Sequence, residues 1–268
     1  MSSRDGTRDG AKEQGLSQSL ERGLAILSSF DSHRPLLGVS ELSRQIGLSR
    51  SSTHRYIATL AALGYLQQDV PTRKYRLGPR VLDLGFAAIN SMELREISAP
   101  HLRELSDETG HTVNLAILEG SDILYLERCR NSRHGQRDID LNLHVGSRLP
   151  AYCTSMGKVL LAFLDPEARD TALAGVQFTQ RGPNTLTART ALLAELERVR
   201  ATGLAVNNEE LAYGLRSIAA PIWSKGGEVV AAINLAVHRS MVSLEDLSER
   251  LSEPLKRTAA EITARLGY

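Results

Sequence analysis

One stretch constrains this chain of 268 residues more than any other: two short amphipathic segments meet at a glycine, and the second opens on a run of hydroxyls. Residues 47–60 read GLSRSSTHRYIATL, with Ser49, Arg50, Ser51, Ser52 and Thr53 in succession. Apart from the arginine these are poor or middling helix formers. From Thr53 the rhythm becomes helical, with Thr53, Ile57 and Leu60 at spacings of four and three. The preceding VSELSRQIG offers Ser40 as an N-cap and Leu42 and Ile46 four apart, and Gly47 stops it. Upstream, SQSLERGLAILSSF predicts a first helix capped by Ser17 or Ser19, with Leu20, Leu24, Ile26 and Leu27 on one apolar stripe. Gly64 ends the third segment after Leu63. Helix, helix, tight turn, helix is a helix-turn-helix.

The next residues, YLQQDVPTRKYRLG, predict two short strands, Tyr65-Leu66 and Tyr75-Arg76-Leu77, around the turn DVPTRK. A hairpin directly after the third helix makes the unit a winged helix-turn-helix. A recognition helix turns its first residues toward base edges in the major groove. That front excludes apolar side chains, favours short hydroxyls that allow close approach, and favours arginine, the commonest specific reader of guanine. Ser49, Arg50, Ser51, Ser52, His54 and Arg55 are the candidate DNA-contacting residues there. Arg73 and Lys74, at the wing, are placed to reach phosphate. An ordinary solvated helix with a serine cap is the plainer alternative for the isolated segment. The flanking helices, the hairpin and the local charge favour the DNA reading. The whole chain has a net charge of +1, but residues 1–80 hold 12 Lys and Arg against 7 Asp and Glu, and the rest is mildly acidic.

The remainder reads as α+β. PRVLDLGFAAINSMELREISAPHLRELSDETG is mostly helical, with Leu82, Gly85-Phe86 and Ile89 on one stripe, and from about Ser98 it becomes the first helix of a second domain. HTVNLAILEGSDILYLERC is a strand hairpin around EGSD. DIDLNLHVGSRLP alternates up to Pro150. TSMGKVLLAFL is a helix, and LDPEARD starts another. NTLTARTALLAELERVRATG is a helix capped by Thr187 and ended by Gly203. SIAAPIW and VVAAINLAVH form a second hairpin around SKGGE. The final helix, SLEDLSERLSEPLKRTAAEITARLGY, is expected to kink at Pro254. Strands and helices alternating unevenly around hairpins indicate an antiparallel sheet.

Several function classes are disfavoured. No apolar run of 18 residues predicts a membrane span, and MSSRDGTRDGAKEQG lacks the apolar segment of a secretory signal. Two cysteines, Cys129 and Cys153, make neither a disulfide framework nor a zinc cluster, which fits a reduced, cytoplasmic chain. The seven histidines show no metal spacing, and no phosphate-binding loop occurs, so no cofactor and no metal site is expected. Cys153, near a helix start, is the best candidate nucleophile, with His111 and His144 as conceivable bases, but nothing in the sequence brings either beside it. No catalytic residue is assigned.

SLERGLAIL, GVSELSRQIGLSRSSTHRYIATLAALGYL and YRLG resemble the DNA-binding domain of IclR-type transcription regulators. GSRLPAYCTSMGKVLLA and GLRSIAAPIW with AAINLAV resemble that family's effector-binding domain. The resemblance runs from about residue 17 to the C-terminus, and LHVGSRLPAYCTSMGKVLLA is most like the branch that controls aromatic-acid catabolism through the β-ketoadipate pathway, which handles protocatechuate and 4-hydroxybenzoate. It implies a disordered leader at 1–16, a winged helix-turn-helix at 17–78, a linker helix at 79–95 and a GAF-like effector-binding domain at 96–268. Carried over by position, the effector pocket falls at Leu149, Ser155, Met156, Asn207, Leu215, Ser217, Asn234 and Ala236. Ser155 opens a helix after Cys153-Thr154, where backbone N–H groups suit a carboxylate. Ser217 and Asn234 supply polar side chains, and Leu149, Met156 and Leu215 apolar walls. Met156 as core filler, and Ser217 and Asn234 on a solvent face, are the competing readings. Arg148 and Arg216 either pair with a ligand carboxylate or form structural salt bridges. The family's pocket often has an acidic or thiol group where this chain has Asn207 and Ser217, and loss of charge at Asn207 suits an anionic ligand. The implied partners are double-stranded DNA with a palindromic operator, a small carboxylate effector, and copies of the chain as a homodimer or dimer of dimers. A DNA-binding protein without an effector is the alternative.

Overall fold

The computed structural model describes residues 16–31, 34–90, 92–131 and 141–267. All but the last residue of the expected leader lies outside them. The chain divides into two compact units between Ala88 and Ile89, inside the segment read as a linker.

The first unit carries α1 (Gln18–Leu27), α2 (Val39–Gln45), α3 (Arg50–Ala62) and the hairpin β1 (Leu66–Gln68) and β2 (Tyr75–Leu77). Its core is Ile26, Leu37, Leu42, Ile57, Leu66 and Tyr75. Truncating one such aliphatic side chain to alanine costs about 2–5 kcal/mol. Ser17 caps α1 through the Leu20 N–H. Of the predicted stripe only Ile26 is fully buried; Leu20 and Leu24 are 64% and 54% exposed and face outward. Ser40 is not the cap of α2. The helix begins two residues earlier, because Glu41 reaches back to the Gly38 N–H at 2.7 Å and holds Gly38 in the capping position. Gly47 sits at φ +67°, the left-handed turn that a Cβ disfavours. The hairpin pairs Leu66 with Leu77 and Gln68 with Tyr75, and Leu37 bridges the other edge of Tyr75, so the wing is held on both sides.

Helix α4 (Arg80–Asn90) follows, with Leu82 and Leu84 61% and 57% exposed; the side chains of Phe86 and Ile89 lie outside the described residues. The second unit comprises α5 (Glu93–Thr109), β3 (Thr112–Glu119), β4 (Asp122–Cys129), β5 (Arg148–Pro150), α6 (Ser155–Phe163), α7 (Pro166–Ala172), α8 (Arg189–Thr202), β6 (Ala205–Asn208), β7 (Leu215–Trp223), β8 (Val229–His238), α9 (Leu244–Glu249) and α10 (Ser252–Leu266). The sheet is antiparallel in the order β5-β4-β3-β8-β7-β6. The fold is therefore α+β. Along β8 the alternation is strict: Ile233, Leu235 and Val237 face the core formed with α5 and α10, while Ala232, Asn234 and Ala236 face α6.

Four further details differ from the sequence expectation. Only Arg148–Pro150 of the alternating DIDLNLHVGSRLP stretch is strand, and residues 138–140 lie outside the described residues. The cap of α8 is Ala188 rather than Thr187. The closing helix is broken into α9 and α10, and Pro254 sits in the first turn of α10, where a missing N–H costs nothing, instead of kinking a continuous rod. Strand β6, too short for its periodicity to stand out, adds an edge to the sheet beside β7.

Candidate nucleic-acid interface and effector cavity

In the first unit, Ser49 caps α3. Its hydroxyl accepts from the Ser52 N–H at 3.2 Å and lies 3.1 Å and 3.0 Å from the Ser51 and Ser52 hydroxyls. Thr53 is fully buried and returns its hydroxyl to the Ser49 carbonyl, while Ile57 anchors the opposite face in the core. Ser49, Arg50, Ser51, His54 and Arg55 are exposed and Ser52 half-buried. The odd composition of this helix therefore separates cleanly into an inward apolar back and an outward polar front. Wing residue Arg73 is exposed at φ +58°. Lys74 differs from it: its ammonium lies 3.2 Å from Glu41, the residue that caps α2, so it ties the wing to the helix-turn-helix. The Gly38 N–H and then Lys74 hold the Glu41 carboxyl below its ordinary range.

In the second unit, a cavity opens between the α6 face of the sheet and α6 itself. Six of the eight expected pocket residues line it: Ser155, Asn207, Leu215, Ser217, Asn234 and Ala236. Leu149 and Met156 are not among its lining. Leu149 pairs with Ile123 on β5, and Met156 is 1% exposed and packs in the α6 core. Ser217 and Asn234 are 3% and 5% exposed, so neither belongs to a solvent face. Ser155 Oγ lies 2.7 Å from Ser217 Oγ and accepts from Asn234 Nδ2 at 3.5 Å. Asn207 Nδ2 donates to the Cys153 carbonyl at 2.6 Å, and its Oδ1 accepts from the Glu210 N–H at 3.1 Å. Thr154 caps α6 by accepting from the Gly157 N–H at 3.2 Å, as the sequence implied. Gly157 lies so close to the Ala151 backbone that any Cβ there would overlap it, which fixes the start of α6 against the preceding turn.

Arg148 and Arg216, for which ligand pairing and a structural role were both open, do not line the cavity. Arg148 pairs with Glu119 at 2.7 Å, and Arg216 binds Asn208 and the Val242 carbonyl. Both serve structure. Lining residues that the sequence left unnamed include Asn114, Tyr125, Arg128 and His238, with Leu141, Leu143 and Leu211 as apolar walls. Arg128 Nη1 donates to Asn114 Oδ1 at 2.9 Å, and Asn114 Nδ2 donates to Asn234 Oδ1 at 2.7 Å. Among the described lining residues none is acidic. The cavity's free volume is about 40 Å³, room for one or two water molecules.

Behind the Asn207 wall, Lys158 is 1% exposed, and its ammonium contacts Glu210 at 2.6 Å, the Val206 carbonyl at 2.6 Å and Glu195 at 3.4 Å. Burial pushes the Glu210 carboxyl up, and Lys158 opposes that shift. Cys153 is fully buried, and burial raises its thiol to about 11, so it is no activated nucleophile. His144 bonds Ser147 and the Asn142 carbonyl, and the His111 carbonyl accepts from the Ser106 hydroxyl. Among the described residues no cluster fit for a metal occurs, and no helix is long and apolar enough to cross a membrane.

Residues 19–70 match the IclR helix-turn-helix domain, and residues 86–264 match the family described as bacterial transcriptional regulator IclR C-terminal. This chain belongs to the IclR family. It is a DNA-binding transcriptional regulator, like its relatives, and not an enzyme. The Pca regulon regulatory protein of Pseudomonas putida is 38% identical over 92% of this chain and 84% of its own length. The HTH-type transcriptional regulator XynR of Escherichia coli K12 is 34% identical over 94% of this chain and 98% of its own. An IclR homologue from Microbacterium hydrocarbonoxydans, solved in complex with 4-hydroxybenzoate, superposes with a TM-score of 0.75 at 27% identity, covering 92% of this chain and 98% of that one.

Proposed function

We propose that this IclR-family regulator senses a small organic acid, an aromatic acid or an intermediate of the β-ketoadipate pathway, and controls catabolic genes in response. The observation that carries the acid is the cavity itself: a polar floor, one guanidinium, one imidazole, leucine walls and no acidic side chain among its described lining. The aromatic assignment is supported by the names of two similar proteins, a Pca regulon regulator and a homologue holding 4-hydroxybenzoate. Ser155, Asn207, Leu215, Ser217, Asn234 and Ala236 form the binding set. A cavity of about 40 Å³ is far smaller than the roughly 300–1,000 Å³ of drug-sized pockets, so an aromatic acid requires the cavity to widen. That same volume favours a second reading, an acid of only a few atoms.

On DNA, the exposed front of α3, with Ser49, Arg50, Ser51, Ser52, His54 and Arg55, reads bases, and Arg73 on the wing reaches phosphate. Lys74 joins the wing contact only by releasing Glu41. The outward leucines of α1, and separately those of α4, support association of copies into a homodimer and a dimer of dimers on a palindromic operator. The helix α4 carries effector occupancy to the DNA-binding unit, which requires that the acid bind one arrangement better than the other.

Thermal melting of the full chain against aromatic acids and short aliphatic acids tests this. A rise in Tm with an aromatic acid supports the reading. A rise with short acids alone replaces it with the second, and no rise with any acid returns the protein to an effector-independent binder.

A further inference from the structure

We infer that His238 is a specificity-determining residue of the cavity: its Nε2–H donates to a second oxygen of the effector, set apart from the carboxylate by an apolar body. This rests on the reading of the cavity as an acid site and deepens it, because it asks for an acid with oxygen functions at both ends.

The ring of His238 is fixed by the turn that ends β8. The Ser240 N–H donates to its Nδ1 at 3.1 Å, and the Ser240 hydroxyl lies 2.7 Å from the same nitrogen. A backbone N–H can only donate, so Nδ1 is the acceptor, and the neutral ring carries its proton on Nε2. Among the described residues Nε2 meets no hydrogen-bond partner. Gly214 keeps the space beside it open, since a Cβ there would come within 2.9 Å of that nitrogen. The half-buried ring lines the cavity. It therefore offers the cavity a directed donor that the described fold does not use.

Strand register sets the spacing. His238 continues the β8 face that carries Asn234 and Ala236, and it stands opposite Leu215, one same-face step from the Ser217–Ala236 pair. Such a step is about 7 Å. On the far side of it Ser155 and Ser217 share their 2.7 Å bond. The Ser155 and Met156 N–H groups at the start of α6 are unbonded among the described residues. With the positive end of the helix dipole they suit the carboxylate, as the sequence implied. Leu211, Leu215 and Ala236 supply the apolar lining beside that step. On the floor, Arg128 is bonded to Asn114 and Asn114 to Asn234, so these polar groups are engaged with one another. The pattern is polar, apolar, polar, and His238 is the donor of the second polar end. An acid with a single oxygen function leaves that N–H unpaired against the ligand, at the cost of a hydrogen bond.

The test measures Kd of the full chain by calorimetry for two pairs of acids that differ only in the distal oxygen function, 4-hydroxybenzoate with benzoate and adipate with hexanoate. Wild type, His238→Phe, His238→Gln and Ser217→Ala are compared. The wild type is expected to prefer the first member of a pair it binds, by about 3- to 10-fold for the hydroxyl and about 10- to 100-fold for the carboxylate, the ranges of a neutral and a charge-assisted hydrogen bond. His238→Phe removes that preference, His238→Gln keeps a reduced one, and Ser217→Ala leaves it intact while weakening both members. Each ratio is read within one variant, so a loss of folded protein cancels. Equal binding within each pair by the wild type, preference that survives His238→Phe, or preference lost in Ser217→Ala overturns the assignment and leaves the acid reading in place. Binding of the adipate pair alone, with the preference lost in His238→Phe, rejects the aromatic body and keeps His238. Failure of every acid to bind overturns both.

Discussion

Lys158 Nζ lies 2.6 Å from Glu210 Oε1, with the two side chains 1% and 8% exposed. The pair sits one hydrogen bond behind the cavity, because the Glu210 N–H holds Asn207. Removing one member of such a pair strands a buried charge, whereas removing both does not. Lys158→Met is therefore expected to destabilise the second unit by about 3–5 kcal/mol. Lys158→Met combined with Glu210→Gln should recover most of that loss. Urea denaturation followed by tryptophan fluorescence reads both, since Trp223 lies in this unit. Equal destabilisation by the single and double variants would show that the pair is not coupled.

The capping carboxylate of α2 predicts an acid limb. The Gly38 N–H and Lys74 lower the pKa of Glu41 in the folded chain. A depressed carboxylate contributes stability above its unfolded value, near 4.5, and loses it as pH falls through the folded value. Glu41→Gln should flatten the loss of stability of the first unit below pH 4.5 relative to wild type. Circular dichroism melts across pH 3 to 6 check this, and parallel acid limbs would contradict it.

Neither thiol is reactive in the folded chain. Burial raises both Cys129 and Cys153 to about 11. Iodoacetamide at pH 8 should label Cys153 only after unfolding, and Cys129, half-buried, slowly. Rapid native labelling of Cys153, read by mass spectrometry, would contradict the burial and reopen a chemical role for it.

Much of this was legible in the sequence, for identifiable reasons. The hydroxyl run at Ser49–Ser52 was informative because Ser49 alone satisfies the cap of α3, and Ser51 and Ser52 go beyond what capping requires. Thr53, Ile57 and Leu60 gave the buried side by local spacing alone. The cavity of the second unit was less legible. Ser155, Asn207, Ser217 and Asn234 came from resemblance, and the structure places them together. Arg128 escaped because its direction depends on a bulge, and alternation counted from Leu124 and Leu126 points it the wrong way. Asn114 meets Asn234 across 120 residues, a contact set by strand order. Leu20 and Leu24 read as core by periodicity yet face outward, since an amphipathic stripe does not say what covers it.

A polar front of α3 that reads bases, with its apolar back fixed in the first unit, separates two kinds of DNA contact by their dependence on sequence. Fluorescence anisotropy with the full chain, on sequences selected for tight binding and on random duplex at two salt concentrations, measures the separation. Arg50→Ala should cost about 1–3 kcal/mol on the selected sequences and little on random DNA. Arg73→Ala should weaken both and lower the salt slope by about 1. Equal losses on both DNAs for Arg50→Ala would contradict the account.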